Sequence, residues 1–232
     1  MVSPAVELSV VVPVYGCAAC LDELHARITA TLEPRGSTYE IILVDDASRD
    51  DAAGVLTQMS AGDPRVVVVS LPLNRGQHAA IAEGLARAKG RWAAVMDCDL
   101  QDPPELLPRM LLLADHGADI VVGRRGAHSQ VWWRRLATSA FGVLVRHRHG
   151  GSLVGTHSVF SVVSRRAVDS YLRRDERMVM YLPVLDALGL PIASVDYDRA
   201  SRAAGQSAYG ALGLARRAAR VLVTRRVRRP GL

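Results

Sequence analysis

Four short runs of β-branched and aliphatic residues, each followed by a segment of helical length, constrain this chain more than any other feature. They are Leu8 to Tyr15 ("LSVVVPVY"), Tyr39 to Val44 ("YEIILV"), Arg65 to Leu71 and Arg91 to Met96. Each is nearly continuous rather than alternating, the pattern of a strand buried on both faces. In the segments between, Ala79 to Lys89 sets Ile81, Leu85 and Ala88 on one helical face, with Gly90 as its C-terminal cap. Such alternation implies α/β architecture: a parallel sheet with right-handed helical crossovers. A ligand of such a sheet binds beyond the carboxyl ends of its strands.

The second half is less regular. Asp119 to Val122 reads as the last strand of a nucleotide-binding half, Val159 to Val163 and Ile192 to Tyr197 as further strands, and Val131 to Arg146, Arg165 to Leu172 and Met178 to Leu188 as helices. No repeat or low-complexity linker separates the halves, so we expect one domain over 1–210, its nucleotide half at 1–123 and a smaller acceptor half at 124–210.

Composition bounds the function classes. With 232 residues, 49% of them hydrophobic, the chain can bury a substantial core. No apolar run approaches the ~18 residues of a bilayer-spanning helix, and the N-terminus lacks the pattern of an export signal, so the expected location is cytoplasmic. Three cysteines are too few for a disulfide framework, and an odd count fits a reducing compartment. Cys17 and Cys20 have redox-pair spacing but also suit small side chains in a tight loop. The formal charge of +6 is local: nine arginines and no acid follow from Arg199 onward.

Chemistry concentrates in "AVMDCDLQDPPE". Asp97 and Asp99 come where the fourth strand ends, and an extended chain there would point both carboxylates the same way. Asp102, Pro103 and Glu105 then fit the N-cap, first and third positions of a helix, a capping box. Two carboxylates one residue apart oppose each other's ionisation unless a cation joins them. Mg²⁺ or Mn²⁺ suits that oxygen set, with Gln101 as a further donor. Asp45 and Asp46 end the second strand, where Ser48 or Asp50 can also cap a helix. Asn74, Arg75, Gly76 and Gln77 follow the third and open a helix whose N-terminus favours phosphate. A nucleoside diphosphate with a metal would satisfy all three.

These segments, "SVVVPVYG", "EIILVDDASRD", "LNRGQHAAIAEGLARAKGRWAAVMDCDLQDPPE" and "VVGRR", resemble inverting glycosyltransferases of family 2, of the GT-A fold. Within that family the chain is similar to the polyprenyl-phosphate branch, over about Leu8 to Tyr209. The resemblance implies a Rossmann-like, mostly parallel sheet flanked by helices, with a smaller acceptor lobe. It implies a nucleotide-sugar donor held through Pro13, Tyr15, Asp45, Asp46, Asn74, Gly76 and Ser207, and metal and diphosphate on Asp97, Asp99 and Gln101. Arg124 (or Arg125), Arg135 and Ser139 would approach the acceptor's phosphate. Arg202, Gly205, Ser207 and Tyr209 match a late loop expected to close over the diphosphate. A phosphate acceptor is already ionised and needs no general base, whereas a hydroxyl acceptor does.

The chain departs from the family pattern at two points. Gly16 and Cys17 stand where relatives carry an Asn-Glu pair, and Thr156, His157 and Ser158 stand where an Asp is usual before Phe160. Residues 211–232 form a basic amphipathic tail suited to an anionic membrane surface. Two alternatives remain at this stage. One is a family 2 enzyme using a hydroxyl acceptor; the other is a nucleic-acid module built on the arginines and Trp132-Trp133, disfavoured by the acids at the sheet mouth.

Overall fold

A computed structural model of the chain describes residues 6–125, 153, 157–178 and 180–198. Among these residues seven strands form one mixed sheet: β1 (Leu8–Val14), β2 (Tyr39–Asp45), β3 (Val66–Ser70), β4 (Trp92–Val95), β5 (Ile120–Arg125), β6 (His157–Ser164) and β7 (Ile192–Tyr197). Their order is β3-β2-β1-β4-β6-β5-β7. The first four run parallel, β6 is antiparallel to both β4 and β5, and β5 and β7 are parallel. The helices are α1 (Ala18–Leu32), α2 (Ala52–Gly62), α3 (Gln77–Arg87), α4 (Leu107–Asp115), α5 (Arg165–Leu172) and α6 (Leu182–Ala187).

The apolar runs are continuous because each strand feeds two cores. Leu8, Val10, Val12 and Val14 of β1 face α1 and α4, packing with Leu21, Leu24, Ile28, Met110 and Leu111. Val11 of β1 faces the other way and joins Ala80, Ile81 and Leu85 of α3, Val168 and Tyr171 of α5, and Val184 and Leu185 of α6. A period of two thus divides one hydrophobic segment between two helical layers.

Gly84 lets α3 lie close to the sheet. A Cβ there would fall 2.4 Å from Val11 Cγ1 and 3.1 Å from Val44 Cγ2. Gly90, expected to cap α3, has a different task. The helix ends at Arg87 with Ala88 as its cap, and Gly90 is buried beyond it. Its amide donates to Ser9 Oγ at 2.8 Å, and a Cβ would meet the Ser9 amide nitrogen at 2.6 Å.

The chain passes from β1 outward to β2 and β3, then returns to place β4 on the opposite side of β1. That reversal makes the carboxyl ends of β1 and β4 the topological switch point, where open α/β sheets bind ligands. β1 also outlasts its neighbour: its pairing with β4 stops at Val11 opposite Val95, while its pairing with β2 continues to Val14 opposite Asp45. Pro13 lies in this overhang, where its missing N–H breaks no ladder bond to β4.

β5 does not join β4 as the last strand of a nucleotide half. β6 intervenes, pairing Val95 with Ser161 on one side and Val122 with the same Ser161 on the other. Among the described residues no helix is long and apolar enough to cross a membrane. The expected helix at Val131 to Arg146, the Trp132-Trp133 pair and the tail 211–232 lie outside the described residues.

Candidate active site

Four loops leave the carboxyl ends of β1 to β4, and each contains a residue with positive φ. Gly16 (66°) and Gly76 (90°) adopt it without steric cost, but Ala47 (55°) and Leu100 (62°) do not. A side chain in the left-handed region costs roughly 1–2 kcal/mol. Such strain persists where surrounding contacts over-determine the backbone, as at functional sites.

The loop after β4 holds Asp97 and Asp99. The chain does not stay extended there; it turns at Cys98 and Asp99 and reverses through Leu100. Asp97 Oδ1 accepts from Gln77 Nε2 at 2.5 Å, and Asp99 Oδ1 accepts from the Gln101 amide at 3.3 Å. Both carboxylates are partly exposed at the switch point. Gln77, expected with Asn74, Arg75 and Gly76 to open a helix, stands at the first position of α3, and its side chain reaches Asp97, a contact the motif does not announce.

Asp102 caps no helix. A 3₁₀ turn begins at Pro104 and leads into α4 at Leu107, and neither start has a side-chain cap. Asp102 is instead fully buried beneath the loop. Its Oδ2 accepts the Asp97 amide at 3.1 Å and its Oδ1 accepts the Tyr197 hydroxyl at 2.6 Å; that hydroxyl also lies 2.9 Å from Ser158 Oγ. So β6 and β7 hold the Asp97–Asp99 loop from below. Glu105 forms a two-pronged pair with Arg27 of α1, both contacts at 2.8 Å, which keeps its carboxyl below the ordinary range.

The second acidic pair organises the neighbouring loops. Asp46 accepts the Arg75 and Gly76 amides at 2.7 and 2.8 Å, so the anion at the entrance to α3 is the protein's own carboxylate. Asp45 accepts the Ser48 amide at 2.9 Å. Neither Ser48 nor Asp50 caps α2, whose N-cap is Asp51. Asp50 Oδ2 accepts the Ala18 amide at 2.8 Å, capping α1 across the loops, and Ser48 Oγ accepts the Gly16 amide at 3.4 Å. Asn74 and Tyr15 lie exposed on the same edge, and Pro13 is buried in β1.

Cys17 pairs with Cys98, not with Cys20. Their Cα atoms are 6.4 Å apart and 81 residues separate them in sequence. Reading three cysteines as too few for a disulfide framework does not anticipate this single bond. It ties the loop after β1 to the residue between Asp97 and Asp99.

Across β5, β6 and β7, register assembles a ladder that sequence order conceals. Arg124 of β5 stands opposite His157 of β6 and Asp196 of β7. Its guanidinium meets Asp196 at 2.5 and 2.7 Å, which lowers the exposed Asp196 carboxyl and raises Arg124. His157 is held below the ordinary imidazole range, first by burial and then by the Arg124 charge. Because β6 runs antiparallel to β4, its first residue, His157, lies at the same sheet edge as Asp97 and Asp99. Arg135, Ser139, Arg202, Gly205, Ser207 and Tyr209 lie outside the described residues.

A family model described as glycosyl transferase family 2 matches residues 9–172. The chain belongs to glycosyltransferase family 2. This family 2 glycosyltransferase therefore uses a nucleotide-sugar donor, on a seven-stranded sheet of the GT-A kind. Its fold is similar to that of glucosyl-3-phosphoglycerate synthase from Mycobacterium tuberculosis, crystallised with Mn²⁺, uridine diphosphate and glucosyl-3-phosphoglycerate. The identity is 22%, the TM-score 0.65, and the match covers 93% of this chain and 77% of that one. It is also similar to S. aureus TarS residues 1–349 in complex with UDP-GlcNAc, at 17% identity and a TM-score of 0.60, over 94% of this chain and 67% of that one.

Proposed function

We propose that this glycosyltransferase moves a sugar from a nucleoside diphosphate donor, bound across the carboxyl ends of β1 to β4, to a hydroxyl group of a small anionic molecule or glycan. The observation that carries the donor half is the placement of Asp97 and Asp99 at the switch point, on a loop anchored by α3 and β7. Asp97, Asp99 and Gln101 are an all-oxygen set that fits a hard divalent cation, Mg²⁺ or Mn²⁺. Such an ion, when bound, neutralises charge on the departing diphosphate. Solved structures of similar fold contain Mn²⁺ with uridine diphosphate, or with UDP-glucose and phosphoglyceric acid, which supports the same donor class.

For the acceptor, His157 favours a hydroxyl. A hydroxyl must lose a proton as it attacks the sugar's anomeric carbon, and a neutral imidazole at the sheet edge can take it. Lowering of the His157 pKa keeps that imidazole neutral at pH 7. Arg124, paired with Asp196 and opposite His157, is a guanidinium to which an anionic acceptor could turn. The second reading is a polyprenyl phosphate acceptor, supported by the D-x-D-L-Q-D-P-P-E run and the arginines at 135 and 202. It needs no base.

The test pairs UDP-sugars and Mn²⁺ with 3-phosphoglycerate, glycan acceptors and a short-chain polyprenyl phosphate. The hydroxyl reading predicts product with a hydroxyl acceptor, and a fall in kcat for His157→Ala of about 10²-fold or more with loss of the acid limb of its pH profile. Product with the polyprenyl phosphate alone, unaffected by His157→Ala, would establish the second reading instead.

A further inference from the structure

We propose that Cys17 and Cys98 form a thiol–disulfide exchange site, with a low-molecular-weight thiol or disulfide as its co-substrate, and that its state sets the grip on the metal and diphosphate. The inference rests on the transferase reading above. Cys98 is the residue between Asp97 and Asp99, and Cys17 is the N-cap of α1 on the loop after β1. The bond therefore spans the switch point itself, joining the two loops between which a diphosphate would lie.

Hydrogen bonds also anchor the Asp97–Asp99 loop: Gln77 to Asp97, the Asp97 amide to Asp102, and the Gln101 amide to Asp99. The crosslink adds a covalent constraint at the centre of a turn whose next residue, Leu100, has φ of 62°. Holding both carboxylates in place before binding lowers the ordering cost that a ligand must meet. Cys17 and Cys98 each keep 8% exposure, whereas Cys20 keeps 1%, so a small thiol reaches the bonded pair more readily than the third cysteine.

The chemistry balances without a metal. The Cys98 thiolate attacks a small disulfide RSSR, releasing one RS⁻ and leaving a mixed disulfide. The Cys17 thiolate then attacks the Cys98 sulfur; the Cys17–Cys98 bond forms and the second RS⁻ leaves. The two cysteine protons pass to the released thiolates, and RSSR is reduced to two RSH as the pair is oxidised. Excess thiol drives the same steps in reverse.

The experiment equilibrates the full chain with oxidised glutathione, or with a phosphine reductant that does not chelate metal. Disulfide-linked peptides are identified by mass, and uridine diphosphate with Mn²⁺ is titrated into both forms. We expect a Cys17–Cys98 peptide in the oxidised sample and about tenfold weaker binding after reduction, the scale of one or two side chains losing preorganisation. Cys98→Ser and Cys17→Ser should bind like the reduced form under both conditions, and Cys20→Ser should keep the response. A Cys17–Cys20 peptide in place of Cys17–Cys98, or equal affinity in the two forms, would overturn the proposal. Absence of binding in both forms would overturn it together with the transferase reading, and is distinguishable from equal binding by each.

Discussion

Tyr197 and Asp102 carry more of this site than their place in the sequence suggests. A fully buried carboxylate needs partners, and Asp102 finds one in the loop it supports and another in β7. Replacing Tyr197 with Phe keeps the ring against Phe160, 5.7 Å away edge-on, and removes the donor. We expect a loss of about 1–2 kcal/mol in urea unfolding, because a buried acceptor is left short of a partner, together with weaker Mn²⁺-dependent nucleotide binding. Unchanged stability and binding would show that Asp102 does not depend on β7. Far from the site, Asp63 accepts from Arg65 at 2.9 Å and lies 2.9 Å from His25, and the Arg65 contact holds its carboxyl well below the ordinary 3.8. A lowered folded-state pKa stabilises the fold above the unfolded value, and that contribution disappears as pH falls through about 4 and below. Asp63→Asn should flatten the loss of stability on acidification from about pH 5 to 2; parallel curves for variant and wild type would contradict this.

At the scale of elements, the parallel strands were legible because burial on both faces leaves an unbroken apolar run. β1 to β4 fall within a residue or two of the apolar segments, and α5 spans the expected Arg165 to Leu172. Loop chemistry was not legible in the same way. Asp102, Pro103 and Glu105 satisfy the spacing of a capping box, yet the carboxylate has a buried tyrosine to meet and Glu105 an arginine on α1, partners 95 and 78 residues away. Spacing within a motif carries no information about such distant groups. The helix–sheet contact of α3 gives a direct prediction. Gly84→Ala would drive a methyl group into Val11 and Val44, and we expect about 1–3 kcal/mol of destabilisation by chemical denaturation. A neutral result would mean that α3 can slide away from β1 without cost.

For the whole molecule, the decisive feature is how β6 enters between β4 and β5. Sequence order suggests β5 beside β4; the antiparallel insertion instead lines up His157, Arg124 and Asp196 at the edge where Asp97 and Asp99 emerge. Cross-strand register produces that ladder, and no local pattern in the chain announces it. The donor-side acids were visible in the sequence because they cluster at strand ends; the buried pairing of Asp102 with Tyr197 was not, since it joins side chains 95 residues apart. The central claim is that Asp97 and Asp99 hold a divalent cation against a nucleoside diphosphate. Calorimetric titration of uridine diphosphate, with Mn²⁺ or with a chelator, into wild type and Asp99→Asn tests it most directly. Binding should require Mn²⁺ and fall by at least about tenfold in the variant, which should retain its circular dichroism spectrum; equal binding under chelation, or by a folded Asp99→Asn, would contradict the account.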